Sequence, residues 1–231
     1  MGMKVLYKSI LILALLFVSC RNYFIEEDDP LNLEENAGQE MNALFEYDSE
    51  KREYQFQTSA EQFVGENGYT VWCTPHLKEK VQNDSGNNEV NEFEFEATIY
   101  KESGNMDAGY GVVFCAQEMD SVQFMLCVLI NSKGMYIAGK VRDGLFERIS
   151  DWQNSNSIKK GYGVENKILI SYKEEEKSFM LKINDSFVTM ISVEEDLFSK
   201  SSRYGYAVVI SNNEKFPENP VKCVFKQGGA K

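Results

Sequence analysis

The chain has 231 residues, with 36 acidic and 24 basic side chains and a formal net charge of −12. That balance argues against a nucleic-acid partner, because phosphate binding needs a basic surface. A single histidine, His76 beside Pro75, and five cysteines form no cluster at transition-metal spacing, and a histidine-based triad has only that one possible base. The first element is a leader. Lys4 and Lys8 precede an apolar run over 10–18, and Ser19-Cys20 follows. A basic start, a short greasy run and a small residue before the cut predict a secretory signal peptide over residues 1–19. The run is too short to span a bilayer comfortably as a permanent helix. Next comes a tether over residues 20–50. Residues 21–50 carry ten acidic side chains and one basic one, so most of the excess charge sits here. Such a block stays solvated and extended, and is repelled by anionic headgroups. Within it Met41, Leu44 and Phe45 sit at helical spacing and predict one short helix docking on the following domain.

Residues 51–231 are long enough for one domain with a sizeable core. Their apolar runs are short, rich in Val, Ile, Phe and Tyr, and punctuated by Gly, Asn, Asp and Ser. Strands are predicted near residues 53–58, 69–73, 92–100, 109–116, 123–130, 135–141 and 146–149. A three-stranded meander over 164–193 follows, and strands at 204–211 and 221–226 close the chain. In the meander Ile168, Ile170 and Tyr172 alternate, then Phe179, Leu181 and Ile183, and Asn184-Asp185 turns the chain. Phe93, Phe95 and Ala97 share one face of their strand, opposite Glu94 and Glu96, which gives one dry and one wet face. The run 124–130 is apolar on both faces and reads as a central strand covered on both sides. Residues 78–89 read as an exposed loop. Twelve short strands between turn signals predict an all-β, two-sheet antiparallel sandwich.

Two resemblances sharpen this. Phe17-Val18-Ser19-Cys20 resembles the bacterial lipobox, with Phe17 where Leu is usual; the likeness implies that Cys20 carries lipid and anchors the chain durably to a membrane. Arg21 is not an Asp retention signal, so by analogy the expected location is the bacterial cell envelope at the outer membrane. The second likeness covers about residues 60–227. Residues 93–99, Tyr110-Gly111-Val112-Val113-Phe114, Gly134-Met135-Tyr136, Trp152, Gly161, Asn166-x-Ile168-x-Ile170, the run from Phe179 to Asp185, residues 204–209 and Val224-Phe225 together resemble the laminin-G-like, concanavalin-A-like jelly roll. That family implies a jelly-roll sandwich whose concave face or edge loops bind glycans or proteins, and it bears on fold far more than on function.

Candidate chemistry is sparse. Glu92, Glu94 and Glu96 share a strand face, with Glu92 and Glu96 about 7 Å apart along it at ~3.4 Å per residue, a gap that rotamers could close to a retaining glycosidase's carboxyl spacing. The run resembles the Glu-x-Asp-x-Glu motif of laminarinase-type glucanases with Glu94 in the middle; its bland reading is the wet face of an amphipathic strand. In an exported protein Cys73 and Cys223 are the candidate disulfide, being near the first and last strands, while Cys115 and Cys127 read as buried thiols. Asp107, Asp143 and Asn212-Asn213 lie in loops of the kind that bind calcium in related jelly rolls, though such residues more often just make turns; no other cofactor is expected. For a ligand, Trp152, Tyr136, Tyr162 and Arg142 are the candidate contacts. The leading expectation is a membrane-anchored lipoprotein with a non-catalytic carbohydrate- or protein-binding sandwich. The alternatives are a glycoside-active hydrolase using Glu92 and Glu96, or resembling the 3-keto-disaccharide hydrolases, and a structural envelope subunit.

Overall fold

The computed structural model describes residues 43–58, 68–74, 77–78, 94–119, 122–173, 176–192, 203–211 and 220–227. These form a two-sheet antiparallel jelly-roll sandwich. The first sheet runs, from edge to edge, β1 (Ala43–Asp48), β2 (Glu53–Thr58), β15 (Val221–Gln227), β5 (Glu94–Ser103), β11 (Asn166–Lys173), β12 (Ser178–Ile183) and β13 (Ser186–Ser192). The second runs β10 (Gln153–Asn154), β8 (Met135–Arg142), β7 (Val122–Ile130), β6 (Gly109–Met119), β14 (Arg203–Ser211) and β3 (Tyr69–Cys73). Two short strands add to its margins: β9 (Leu145–Arg148) on β8 and β4 (Leu77–Lys78) on β14. The twelve expected strands are present at similar bounds. The leader, Cys20, most of the tether, His76, Glu92, Phe93, Asn212, Asn213 and nearly all of the 78–89 loop lie outside the described residues.

The alternation read from the sequence is what stacks the sheets. Phe95, Ala97 and Ile99 on β5, Ile168 and Ile170 on β11, and Phe179, Leu181 and Ile183 on β12 are fully buried against Tyr110, Val112 and Phe114 of β6 and Leu126 and Val128 of β7. Burying a side chain of that size stabilises by about 1.5–3 kcal/mol, so this inter-sheet core is the main term holding the fold. Turn chemistry fixes its register. Asn184 and Asp185 have φ of 50° and 65°, and Asp143 and Gly144 have 47° and 79°. Two successive left-handed residues are the mirror-image turn that matches strand twist in a tight hairpin.

Residues 43–48 correct one expectation: they form strand β1, not a helix. Met41 lies outside the described residues, and beyond Leu44 the chain alternates. Phe45 faces the core, 4.9 Å from the Phe56 ring and 5.7 Å from Phe225, and Tyr47 lies 4.8 Å from Tyr54. Asp48 then turns the chain by accepting hydrogen bonds from the Glu50 and Lys51 amides, 3.1 Å each. An apolar pair two residues apart beside a strong turn outweighs three residues at helical spacing.

The second sheet carries a further apolar layer on its outer face. Val113, Met125, Cys127, Leu129, Ile137, Val141, Ala207 and Val209 are all buried there. The sheet curls until its margins meet: Phe146 of β9 contacts Tyr69 of β3 edge-on at 5.1 Å. Trp152 packs partly buried against the same layer. This is why the 124–130 run is greasy on both faces. It also means that the outer face of this sheet is filled with the protein's own side chains.

The expected disulfide is absent. Cys73, Cys115, Cys127 and Cys223 are all thiols. Cys73 sits on β3 and packs on the outer layer of the second sheet, whereas Cys223 on β15 points into the core between the sheets. The neighbour of the last strand is β2, one strand earlier than the expectation required. Burial raises the Cys115 and Cys223 thiols to about 12 and Cys127 higher still. Since only the thiolate attacks electrophiles, iodoacetamide at about pH 8 should label half-buried Cys73 first. Peptide mapping should find Cys115, Cys127 and Cys223 modified only once denaturant is present.

Candidate functional site

One end of the sandwich is built from interlocked loops: 104–108 before β6, 131–134 between β7 and β8, and 155–165 between β10 and β11. Local chemistry shapes each. Asn131 Oδ1 accepts from the amides of Lys133 and Met135 at 3.1 and 3.0 Å, a side-chain-closed turn completed by Gly134 at φ 86°. Lys101 is fully buried at the end of the dry face of β5. Its ammonium donates to the carbonyls of Asn105, at 2.8 Å, and Ala108, and lies 4.9 Å from the centre of the Tyr110 ring. A cation is tolerated inside the fold because carbonyl dipoles and an aromatic face replace water.

The segment Lys159–Gly163 is then pinned from beneath at alternate residues. Buried Asn166 brackets Lys159: its Oδ1 accepts from the Lys159 amide at 2.8 Å and its Nδ2 donates to the Lys159 carbonyl at 3.0 Å. The Gly161 amide donates to the Ser132 carbonyl at 2.9 Å, and the Gly163 amide to the Lys101 carbonyl at 2.8 Å. Asn184 adds a second support, donating to Asn166 Oδ1 at 2.8 Å and to the Ser157 carbonyl at 2.7 Å. With the backbone held below, the side chains of Lys159, Lys160 and Tyr162 are left exposed. Tyr162 stands between Gly161 and Gly163, at φ 105° and 68°, and is 43% exposed. Its hydroxyl donates to the Gly104 carbonyl. An exposed aromatic ring is thus fixed at both ends, beside the exposed Asp107–Lys133 ion pair at 2.6 Å.

The other expected contacts divide. Tyr136 is at this end, but its strand face turns it into the core, and its hydroxyl donates to Gln153 Oε1 at 2.7 Å. It is therefore not a surface contact. Trp152 is half-buried near Gly109 and Leu129. Arg142 is exposed but six residues along β8 from Tyr136, about 20 Å away at strand rise, and does not join them. Asp107 and Asp143 are likewise separated by the length of β8, and no group of three or more acidic, His or Cys residues able to hold a metal occurs among the described residues. The Lys159–Lys160 pair escaped the sequence reading because nothing local distinguishes two lysines before a glycine from ordinary loop residues.

Glu94 and Glu96 lie half-exposed on the outer face of the first sheet. Glu96 pairs with Lys167 at 3.5 Å, and Glu94 stands across from Ser171.

No family model matches the chain, and no curated protein matches it. Among solved structures, it is similar to the carbohydrate-binding module CBM66 from Bacillus subtilis, with 11% identity over 82% of this chain and 92% of that one at a TM-score of 0.44. It is also similar to alginate lyase A1-II', a member of polysaccharide lyase family 7, with 11% identity over 81% and 82% of the two chains at a TM-score of 0.46. Sheep galectin-11 is similar at 7% identity over 70% and 94%, with a TM-score of 0.36.

Proposed function

We propose that this chain is a non-catalytic glycan-binding jelly roll of the laminin-G-like kind. In this reading lipid on Cys20 and the acidic tether hold it at the bacterial cell envelope, on the outer membrane. The observation that carries the binding role is the Tyr162 ring, exposed yet held by the hydrogen-bonded amides of Gly161 and Gly163 and by its own hydroxyl bond. A sugar's CH-rich face stacks on such a ring while its hydroxyls meet nearby polar groups, and a platform that is already rigid loses little entropy on binding. The layer of aliphatic side chains on the second sheet directs ligand to this loop end instead of the sheet face. Catalysis by the glutamate run has weaker support, since Glu96 is held by Lys167.

A glycan array probed with the full chain tests the role. For any glycan retained, Tyr162→Ala should weaken binding about tenfold with the melting temperature unchanged, and Tyr162→Phe, which keeps the ring but frees it from the Gly104 carbonyl, should fall between that variant and the parent. Unaltered binding by Tyr162→Ala would remove this loop from consideration. A protein partner is favoured by a different observation: Phe187 is 59% exposed on the outer face of the first sheet, near the cross-strand pair Met180 and Met190. Loss of a pulled-down partner on Phe187→Ser would support that second reading.

A further inference from the structure

We infer that the saccharide taken by the Lys159–Gly163 loop is anionic, bearing carboxylate, sulfate or phosphate groups. This rests on the glycan-binding reading above. The chain carries −12 overall, so any local surplus of positive charge runs against its average. Most carboxylates near this end are already engaged, and Glu102, at the end of β5, is the exposed one with no ion pair among the described residues. Asp107 meets Lys133 at 2.6 Å, Asp185 meets Lys167 at 2.7 Å, Asp151 meets Arg148 at 3.1 Å, and Glu165 meets Lys226. Lys159 and Lys160 are exposed and have no ion-pair partner among the described residues.

Their placement is built, not incidental. Asn166 fixes the Lys159 backbone on both sides, and the Lys160 stem lies across Gly134, where an added Cβ would approach its Cγ to 2.9 Å. Neither ammonium group is held by a carboxylate among the described residues, so an anion that reaches them displaces no existing ion pair. Beside the fixed ring of Tyr162 they make a composite site: the ring takes the apolar face of a sugar and the ammonium groups take its acid. Ordinary solvated lysines would attract an acidic polymer without any dependence on Tyr162.

The experiment is calorimetric titration of the detergent-solubilised full chain at low salt with polygalacturonate, its methyl ester, dextran sulfate and dextran. At least one acidic polymer should bind at least tenfold more tightly than its neutral counterpart. That preference should vanish in the Lys159→Ser/Lys160→Ser double variant, and Tyr162→Ala should weaken binding of the acidic polymer as well. Which acidic polymer is preferred identifies the acid. Equal, Tyr162-dependent binding of acidic and neutral polymers overturns the charge preference and leaves the glycan role standing. Acidic binding that ignores both variants, or that anionic vesicles reproduce with the same variants inactive, overturns the site as unspecific attraction. Binding of none of the four, with no glycan retained on an array, overturns the glycan role and this inference together.

Discussion

Replacing Asn166 by alanine is expected to destabilise the fold by about 3 kcal/mol and to lower the melting temperature by about 10 °C. Asn166 is fully buried at the start of β11, and its side-chain amide uses both ends. It accepts from the Lys159 amide and from Asn184, and donates to the carbonyls of Lys159 and, at 3.4 Å, Val164. Alanine removes all four bonds and orphans their partners, each at about 1–3 kcal/mol where water cannot reach. The total stays near the low end because Lys159 is exposed, so water can satisfy part of its backbone, and because Asn184 keeps its bond to the Ser157 carbonyl. The effect on the loop should exceed the effect on the core. In hydrogen exchange the Lys159 and Gly161 amides should lose protection while those of β11 and β12 keep theirs below the transition. Ligand affinity should fall with them, although no contacting side chain has changed. A melting temperature within 2 °C of the parent would show that the network does not carry the loop.

That dependence explains which parts of the molecule the sequence exposed. The sandwich was legible because period-two alternation is a local signal: Phe95, Ala97 and Ile99, or Phe179, Leu181 and Ile183, reveal a dry face without knowledge of the partner strand. The Asn184-Asp185 turn was legible for the same reason. Pairing between distant strands was not. Proximity of first and last strands suggested a Cys73–Cys223 bridge, but the strand before Cys73, β2, takes the place beside β15, and β3 lies in the other sheet. Lys101 has the inward parity of β5, yet its type reads as solvated; only carbonyls from a loop that folds back show why it is inside. Tyr162 was visible as an aromatic between two glycines. What makes it a platform comes from Ser132, Lys101 and Gly104, 30, 61 and 58 positions away, and no local pattern carries that.

The second large effect is expected at Gly111, where alanine should cost 3 kcal/mol or more, toward the upper end for overpacking in a filled interior. Gly111 stands mid-sheet, across from Leu129 on β7 and Ala207 on β14. An added Cβ would overlap the Val128 carbonyl oxygen and come within 2.8 Å of Leu129 Cα. Both are backbone atoms of a strand paired on its two sides, so they cannot swing away; relief requires prising β6 from β7 and losing ladder hydrogen bonds. Two neighbouring glycines supply the scale. At Gly139 the overlapped atoms belong mainly to the Phe146 ring, a side chain near the sheet margin, so alanine should cost about 1–2 kcal/mol as the ring tilts off Tyr69. At Gly109 the nearest atoms are side-chain carbons of Leu129 and Trp152 at 3.1–3.3 Å, which can give by tenths of an ångström, and alanine regains the entropy that glycine loses in a strand. That variant should be nearly neutral. Urea unfolding of the three alanine variants should therefore rank Gly111 well above Gly139, and Gly139 above Gly109. Equal costs at Gly109 and Gly111 would mean that β6 and β7 do not meet in this register, and the central pair of the second sheet would have to be redrawn.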